Sequence, residues 1–311
     1  MKVVILNDKS SQEDLYTYGE ALISQLTHDH DVVMYNDIKP DFSNIPELFN
    51  EEEKIVMFNH FALSDGFKLF SQHLPSFKNI KYLLSPYSSY SGLDLDLLKS
   101  KGIRYRNNGG ANAKAVSQYA IMCMFLLLRR FNELTADGEI DGSIMGEEYN
   151  TKTAGIIGMG NVGKELVVML DQLGIPTVYY NRTQKDVEAS LVTLEDVFNQ
   201  DIVFVTIATN SDTKALLSTI PSLIQPHTYL IDVTAYDEQY DKVKVLSMLE
   251  EGKFKGFALE TESTMKSTKN FVSTPHIAWR TIDAEKRTVE NYLNRALMIL
   301  RGEAEMIDFI V

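Results

Sequence analysis

Apolar and polar positions along the first part of the chain come in alternating blocks. Residues 3–6 form a short apolar run, the pattern of a strand buried on both faces. Residues 11–26 follow with helical spacing and candidate N-caps at Ser10 or Ser11. Residues 31–35, 54–58 and 80–84 predict three further strands. Strands alternating with helices predict a mostly parallel sheet. Residues 113–131 predict one long helix, in which Ala115, Val116, Tyr119, Ala120, Met122, Cys123, Phe125, Leu126 and Leu127 cover more than one face. Such a helix is buried on several sides, which leaves open a domain joint, a dimer interface or a core position. Residues 139–153 are polar and read as loop. A second alternating series then begins. Its predicted strands are 154–157, 177–180, 202–207, 229–233 and 256–259, with helices at 162–173, 194–199, 213–220 and 240–252. That describes a second doubly wound sheet. Residues 287–301 predict a closing amphipathic helix.

A chain of 311 residues fits two domains of ordinary size. With 44% hydrophobic and 23% charged residues it can bury a core and is not disordered. The net charge of −13 argues against a broad electropositive surface, so nucleic acid and anionic membrane are not expected partners. Cys123 is the single cysteine, which excludes an internal disulfide and a cysteine-cluster metal site. The longest apolar run, 119–128, is too short to span a bilayer. The apolar opening meets Asn7, Asp8 and Lys9 at once and does not read as a signal peptide. A soluble, reduced, cytoplasmic protein is expected.

The most informative stretch runs from Ala154 to Gly163. Gly158, Gly160 and Gly163 form G-x-G-x-x-G between a predicted strand and a predicted helix. The first glycine allows the tight turn, the second admits a pyrophosphate to the backbone, and the third lets helix and strand pack closely. Asn161 and Val162 open the helix, whose free N–H groups favour an anion. The next strand ends at Asn181, 18 residues past Gly163, where an NAD site usually carries Asp or Glu for the ribose hydroxyl. Asn181 has no charge to repel a phosphate. Arg182 offers a guanidinium suited to phosphate oxygens, and Thr183 adds a hydroxyl. NADPH is therefore expected over NADH, with NAD kept as the second choice.

Thr274-Pro275-His276-Ile277-Ala278-Trp279 lies about 115 residues past the glycine turn. Together the two motifs resemble the D-isomer-specific 2-hydroxyacid dehydrogenase family, which includes glycerate dehydrogenase and hydroxypyruvate or glyoxylate reductases. The segment Asn107–Gln118 is similar to the family's entry into its interdomain helix. Leu93-Asp94-Leu95 and Lys101-Gly102-Ile103 are similar to what precedes it. The resemblance covers nearly the whole chain. It implies an α/β fold of two doubly wound parallel-sheet domains, a Rossmann-type cofactor domain inserted in a flavodoxin-like substrate domain. The implied boundaries are 1–103 plus 278–311 for the substrate domain and 104–277 for the cofactor domain. An active site in the cleft and a homodimer through the cofactor domain are implied as well.

Reducing a 2-oxo acid takes a hydride from a nicotinamide and a proton for the carbonyl oxygen. A histidine suits the second task, and the resemblance assigns it to His276. Two family groups are missing. The substrate-gripping Arg falls at Ala235 and its following Gly at Tyr236, and Met265 stands where the Glu that holds the His protonated should be. Glu262 is the nearest carboxylate that can take over, with a solvated side chain the competing reading. Glu260 replaces the family Asp and, with Val233, joins the expected cofactor edge. Ala208 and Asn210 belong to a loosened version of the segment beside the nicotinamide. The substrate-carboxylate loop reads Ser85–Gly92, with hydroxyls of Tyr87, Ser88 and Ser89 as candidate contacts. Trp279 and Arg280 share the His276 segment, and Arg280 is favoured over Arg104 and Arg106 as a replacement cation. The implied activity is an NAD(P)-dependent oxidoreductase acting on a small 2-oxo acid or related carbonyl. The alternative is a catalytically impaired NADP-binding regulator that keeps the fold.

Overall fold

The computed structural model describes residues 1–59, 62–135, 142–207, 211–234, 241–261, 265 and 269–311. It divides into two units, Met1–Asn112 with Ile282–Val311, and Ala113–Thr281.

The first unit carries β1 (Lys2–Leu6), β2 (Val32–Tyr35), β3 (Lys54–Phe58), β4 (Ile80–Leu84) and β5 (Arg104–Arg106). All neighbours are parallel, in the order β2-β1-β3-β4-β5. This is the flavodoxin-like order. Every residue of β3 is buried, as a central strand covered on both faces requires. The strand β5 is not legible in the sequence, because only Tyr105 of its Arg-Tyr-Arg is buried. It corrects the expected boundary after residue 103, which would cut β5 from the β4 residues Tyr82, Leu83 and Leu84 that pair with it. The C-terminal tail shields its outer side. Tyr105 N donates to Val311 O at 3.1 Å and Ile310 N to Tyr105 O at 2.8 Å.

The helix Lys9–Asp29 begins earlier than expected, and neither Ser10 nor Ser11 caps it. Asp8 does, its carboxylate accepting from Ser11 N at 2.7 Å. The helix Ile282–Leu300 buries Val289, Tyr292, Leu293, Ala296 and Leu297 in the same cluster as Leu15, Ile23 and Leu26.

The second unit carries β6 (Ala154–Ile157), β7 (Thr177–Tyr180), β8 (Ser190–Leu191), β9 (Ile202–Val205), β10 (Tyr229–Asp232), β11 (Gly256–Glu260) and β12 (Phe271–Thr274). The sheet is parallel throughout, ordered β12-β11-β10-β9-β6-β7-β8. Strand order reverses at β6, as in a Rossmann sheet. The two edge strands β8 and β12 escape the sequence pattern because β8 is two exposed residues and β12 buries only Phe271 and Val272 before the polar Ser273 and Thr274. The long helix runs Ala113–Leu128 and stops short of the expected residue 131, where Arg130 takes a φ of +48°. Ala120, Cys123, Met124 and Leu127 pack with Ile156, Phe204 and Ile231, so its apolar breadth serves this unit's core. The expected helix 213–220 is two helices, Ser211–Leu217 and Ile220–Leu223, the second restarted by Pro221 in its first turn. Among the described residues no helix is long and apolar enough to cross a membrane.

Candidate active site

The glycine turn sits where its spacing predicts, between β6 and the helix Asn161–Gln172. Gly158 has a φ of +101°, and a Cβ there would lie 2.8 Å from Ile207 Cα. A Cβ on Gly163 would lie 2.3 Å from Gly158 O, so helix and turn touch at bare backbone. Gly160 differs, because a Cβ there meets nothing within 4 Å. Its missing side chain opens space in front of the helix start. The helix has Gly160 as N-cap and no side-chain cap, so its first N–H groups face outward at the positive end of the dipole. These features fit a dinucleotide pyrophosphate.

Asn181, just past β7, does a second job. Its Oδ1 accepts from Met159 N at 3.3 Å and its Nδ2 donates to Thr183 O at 2.7 Å. It thereby ties the glycine turn to the next loop without a charge. Arg182 and Thr183 are exposed beside it. A depression of about 1100 Å³ adjoins them, lined by Tyr180, Asn181, Thr193, Leu216 and Thr219. Glu195 and Asp196 also line it, but Asp196 is engaged by the Thr193 cap at 2.8 Å. Val233 lies just past β10, its N–H donating to Val205 O at 3.2 Å.

His276 is exposed on the turn that follows β12, and Trp279 crosses it edge to face with centroids 6.3 Å apart. Arg280 N donates to Ile277 O at 2.9 Å, which puts the exposed Arg280 on the same turn as His276. Glu260, at the end of β11, is 1% exposed. Its Oε1 accepts from Ile277 N at 2.7 Å and Ala278 N at 2.6 Å. These bonds keep residues 277–281 with the second unit and correct the expected boundary at 278. Burial pushes the Glu260 carboxyl above the usual carboxylate range, against the pull of the Ala278 N–H and the His276 charge. Nearby, the Tyr119 hydroxyl shares a hydrogen bond with Thr274 Oγ1, two residues before His276.

Behind this turn lies a buried ion pair that the sequence pattern does not reveal. Lys242 Nζ is 3.4 Å from Asp232 Oδ2, and the side chains are 2% and 0% exposed. Asp232 Oδ1 also accepts from Thr234 N at 2.9 Å. The only sequence signal is a lysine early in a helix, which ordinarily reads as solvated.

Several expected residues divide differently. Tyr87 is half-buried, with its hydroxyl hydrogen-bonded to Asn59 and Ser11, and burial raises its phenol above the usual range. Ser88 and Ser89 are exposed, and Ser89 Oγ accepts from Ser91 N at 3.3 Å. Arg104 is committed to Glu305 at 2.8 Å and lies 4.1 Å over the Phe309 ring. Arg106 faces Asp308 at 3.9 Å. Both arginines therefore serve the C-terminal tail. Glu262, Ala208, Asn210, Ala235 and Tyr236 lie outside the described residues.

Residues 121–278 match the sequence model of the D-isomer specific 2-hydroxyacid dehydrogenase, NAD binding domain. Erythronate-4-phosphate dehydrogenase of Hahella chejuensis is 30% identical over 224 residues, covering 68% of this chain and 55% of that protein. The matched region thus spans little more than half of that relative. Hydroxypyruvate reductase of Thermotoga maritima is 24% identical over 227 residues, covering 68% of this chain and 74% of that one. Among solved structures, an acyclic imino acid reductase in complex with NADPH and D-Arg matches with a TM-score of 0.78 at 20% identity over 100% of both chains. D-lactate dehydrogenase of Aquifex aeolicus, complexed with NAD and lactic acid, matches with a TM-score of 0.74 at 20% identity over 99% of both. These two share the fold.

Proposed function

The chain belongs to the D-isomer-specific 2-hydroxyacid dehydrogenase family, and from that premise we propose that it is an NADPH-dependent oxidoreductase reducing a small 2-oxo acid or related carbonyl with His276 as proton donor. The observation that carries this reading is the wiring of the His276 turn. The buried Glu260 carboxylate grips the two N–H groups that follow His276. His276 itself stays exposed for a substrate.

A reduced nicotinamide bound at the glycine turn supplies the hydride. The chain's own groups do the rest. The uncapped helix start beyond Gly160 takes the pyrophosphate. Arg182 and Thr183 take a ribose phosphate, with uncharged Asn181 offering no repulsion. His276 gives its proton to the carbonyl oxygen, so that a 2-oxo acid becomes a 2-hydroxy acid. Glu260 acts as a positioning residue through its bonds to Ile277 N and Ala278 N. Arg280, on the same turn, supplies the cation for the substrate carboxylate in place of the Arg that Ala235 lacks. A homodimer goes with this reading, and exposed Met122 and Phe131 on and after the long helix support it.

The test is oxidation of NADPH and NADH with glyoxylate, hydroxypyruvate, pyruvate, longer 2-oxo acids and simple aldehydes. Turnover with NADPH that collapses in His276→Ala supports the reading. Silence across the panel, with NADPH binding established by fluorescence titration, sinks it.

A further inference from the structure

His276 stands on a short stretch of the second unit that is held at both ends. Downstream, the Glu260 carboxylate accepts from Ile277 N and Ala278 N. Upstream, Thr274 closes β12, where it lies opposite Glu260 in the parallel ladder. Thr274 O accepts from Thr261 N at 3.0 Å. Its side chain has a further partner, because Thr274 Oγ1 and the Tyr119 hydroxyl share a hydrogen bond. Only Pro275 and His276 lie between the two holds. The proline ring fixes its own φ and confines the residue before it to extended backbone. Thr274, the last residue of a strand, already meets that restriction. Little slack therefore separates the Thr274 side chain from the imidazole, and a displacement of Thr274 is passed on to His276.

Tyr119 is suited to hold the upstream end. It belongs to the helix Ala113–Leu128, whose Ala120, Cys123, Met124 and Leu127 are buried in the core of the same unit. The hydroxyl therefore projects from a fixed base. Burial pushes the Tyr119 phenol above its usual range, so the group stays neutral. The Cys123 thiol, one helical turn on, is hydrogen-bonded to the same phenol, and burial pushes it up to about 12. The charge of Glu260 also reaches the phenol, so the two holds share one neighbourhood. A phenylalanine would fill the same space in this apolar helix without a polar atom to satisfy. The hydroxyl is the part that packing does not need. We propose that Tyr119 is a positioning residue for His276, acting through Thr274 to fix the start of the turn that aims the imidazole. This deepens the oxidoreductase reading and rests on it for the role of His276 as proton donor.

Substitutions at both ends of the hydrogen bond test the assignment in the full chain. Tyr119→Phe keeps the ring and removes one hydroxyl, and Thr274→Val removes the other. Each lowers kcat about tenfold on a 2-oxo acid that the parent reduces, while KM for NADPH stays at the parent value. The double variant falls no further than either single one, because the two groups form one contact. Thr274→Ser keeps a hydroxyl and recovers most of the loss. Trp279 is the only tryptophan and lies edge to face with His276, so its ring current marks the imidazole protons in an NMR spectrum. In Tyr119→Phe those shifts move toward the values of an unrestrained histidine. Unchanged His276 shifts or an unchanged kcat in Tyr119→Phe overturns the assignment. So does a double variant that multiplies the two losses, a Thr274→Ser as slow as Thr274→Val, or a rise in KM for NADPH in place of the loss in kcat. If Tyr119→Phe does not fold, Thr274→Val against Thr274→Ser decides by the same readouts. The shifts separate this failure from that of the parent reading. Turnover in the parent, with unmoved shifts in Tyr119→Phe, keeps the oxidoreductase and removes the tether. Moved shifts in a chain that oxidises NADPH with no 2-oxo acid keep the tether and remove the reductase.

Discussion

The two units place chemistry at the same end of a parallel sheet, beyond the carboxyl ends of the strands, but they build it from different materials. In the second unit, buried charges stand behind the exposed His276. Glu260 is held by two N–H groups, and Asp232 pairs with Lys242. In the first unit, the corresponding end is lined mainly by amides and hydroxyls, among them Asn7, Asn59, Ser11, Tyr87 and Tyr292. Buried ions are costly to desolvate but carry a field that acts on a neighbouring titratable group. Amides and hydroxyls carry little field themselves and offer hydrogen-bond polarity instead, with Asp14 and Glu285 adding charge to this lining. Under the proposed function, the buried charges of the second unit support proton transfer at His276.

The sharpest way to break that comparison is to remove the proton donor. His276→Ala should lower kcat about 10²–10⁴-fold in steady-state NADPH oxidation. The side chain is exposed, so thermal unfolding should be little changed. Turnover that survives would remove the charged turn from the chemistry.

Next in size is the buried pair. Lys242→Met leaves Asp232 without its cation in a site that is 0% exposed, and urea unfolding should show a loss of about 3–5 kcal/mol. Pairing it with Asp232→Leu should recover most of that loss, because the uncompensated charge is gone. A single variant as stable as the parent would mean that the ion pair does not hold this edge.

The cofactor end yields a smaller effect. Arg182→Ala removes a charge-assisted bond worth about 1.5–3 kcal/mol, so KM for NADPH should rise about tenfold or more while KM for NADH stays put. Equal changes for both nucleotides would detach Arg182 from the ribose phosphate.

The smallest effect lies in pH dependence. Burial raises the Glu260 carboxyl above its ordinary value, so the folded chain holds that proton at pH values where the unfolded chain has released it. Stability from this group therefore falls as pH rises through the window between the ordinary and the raised value. Glu260→Gln keeps an oxygen for Ile277 N and Ala278 N and has no charge to bury. It should unfold at or above the parent's temperature near neutral pH. Activity should move the other way, with the parent losing kcat on the acid side as Glu260 protonates and the variant lacking that limb. A variant with the parent's full acid limb would assign the limb to another group.

Much of this architecture is legible in the order of residues alone. The strands Ala154–Ile157 and Thr177–Tyr180 fall on their predicted bounds, as do Lys54–Phe58 and Ile80–Leu84. Every residue of Ala154–Ile157 and of Lys54–Phe58 is buried, the mark of strands covered on both faces. The glycine turn is legible because each glycine answers a local steric demand. Glu260 is expected beside the cofactor, yet its grip on the His276 turn spans 17 residues. Tyr119 reads as one more apolar residue of its helix, but its hydroxyl meets Thr274, 155 residues away.

The sequence by itself determined the alternation of elements, the phosphate-binding turn, the neutral Asn181 after β7 and the presence of His276 in a family-like segment. Those properties depend on periodicity and on steric rules that act over a few neighbouring residues. Only the tertiary structure decided which carboxylate supports the His276 turn, that Asp232 and Lys242 are a buried pair, that Arg104 and Arg106 serve the tail, and that Asn7 and Tyr292 share one cavity. Each of these joins groups brought together by parallel strand pairing and helix packing. A side chain's charge state and partners depend on what surrounds it in space, and adjacency along the chain does not encode that.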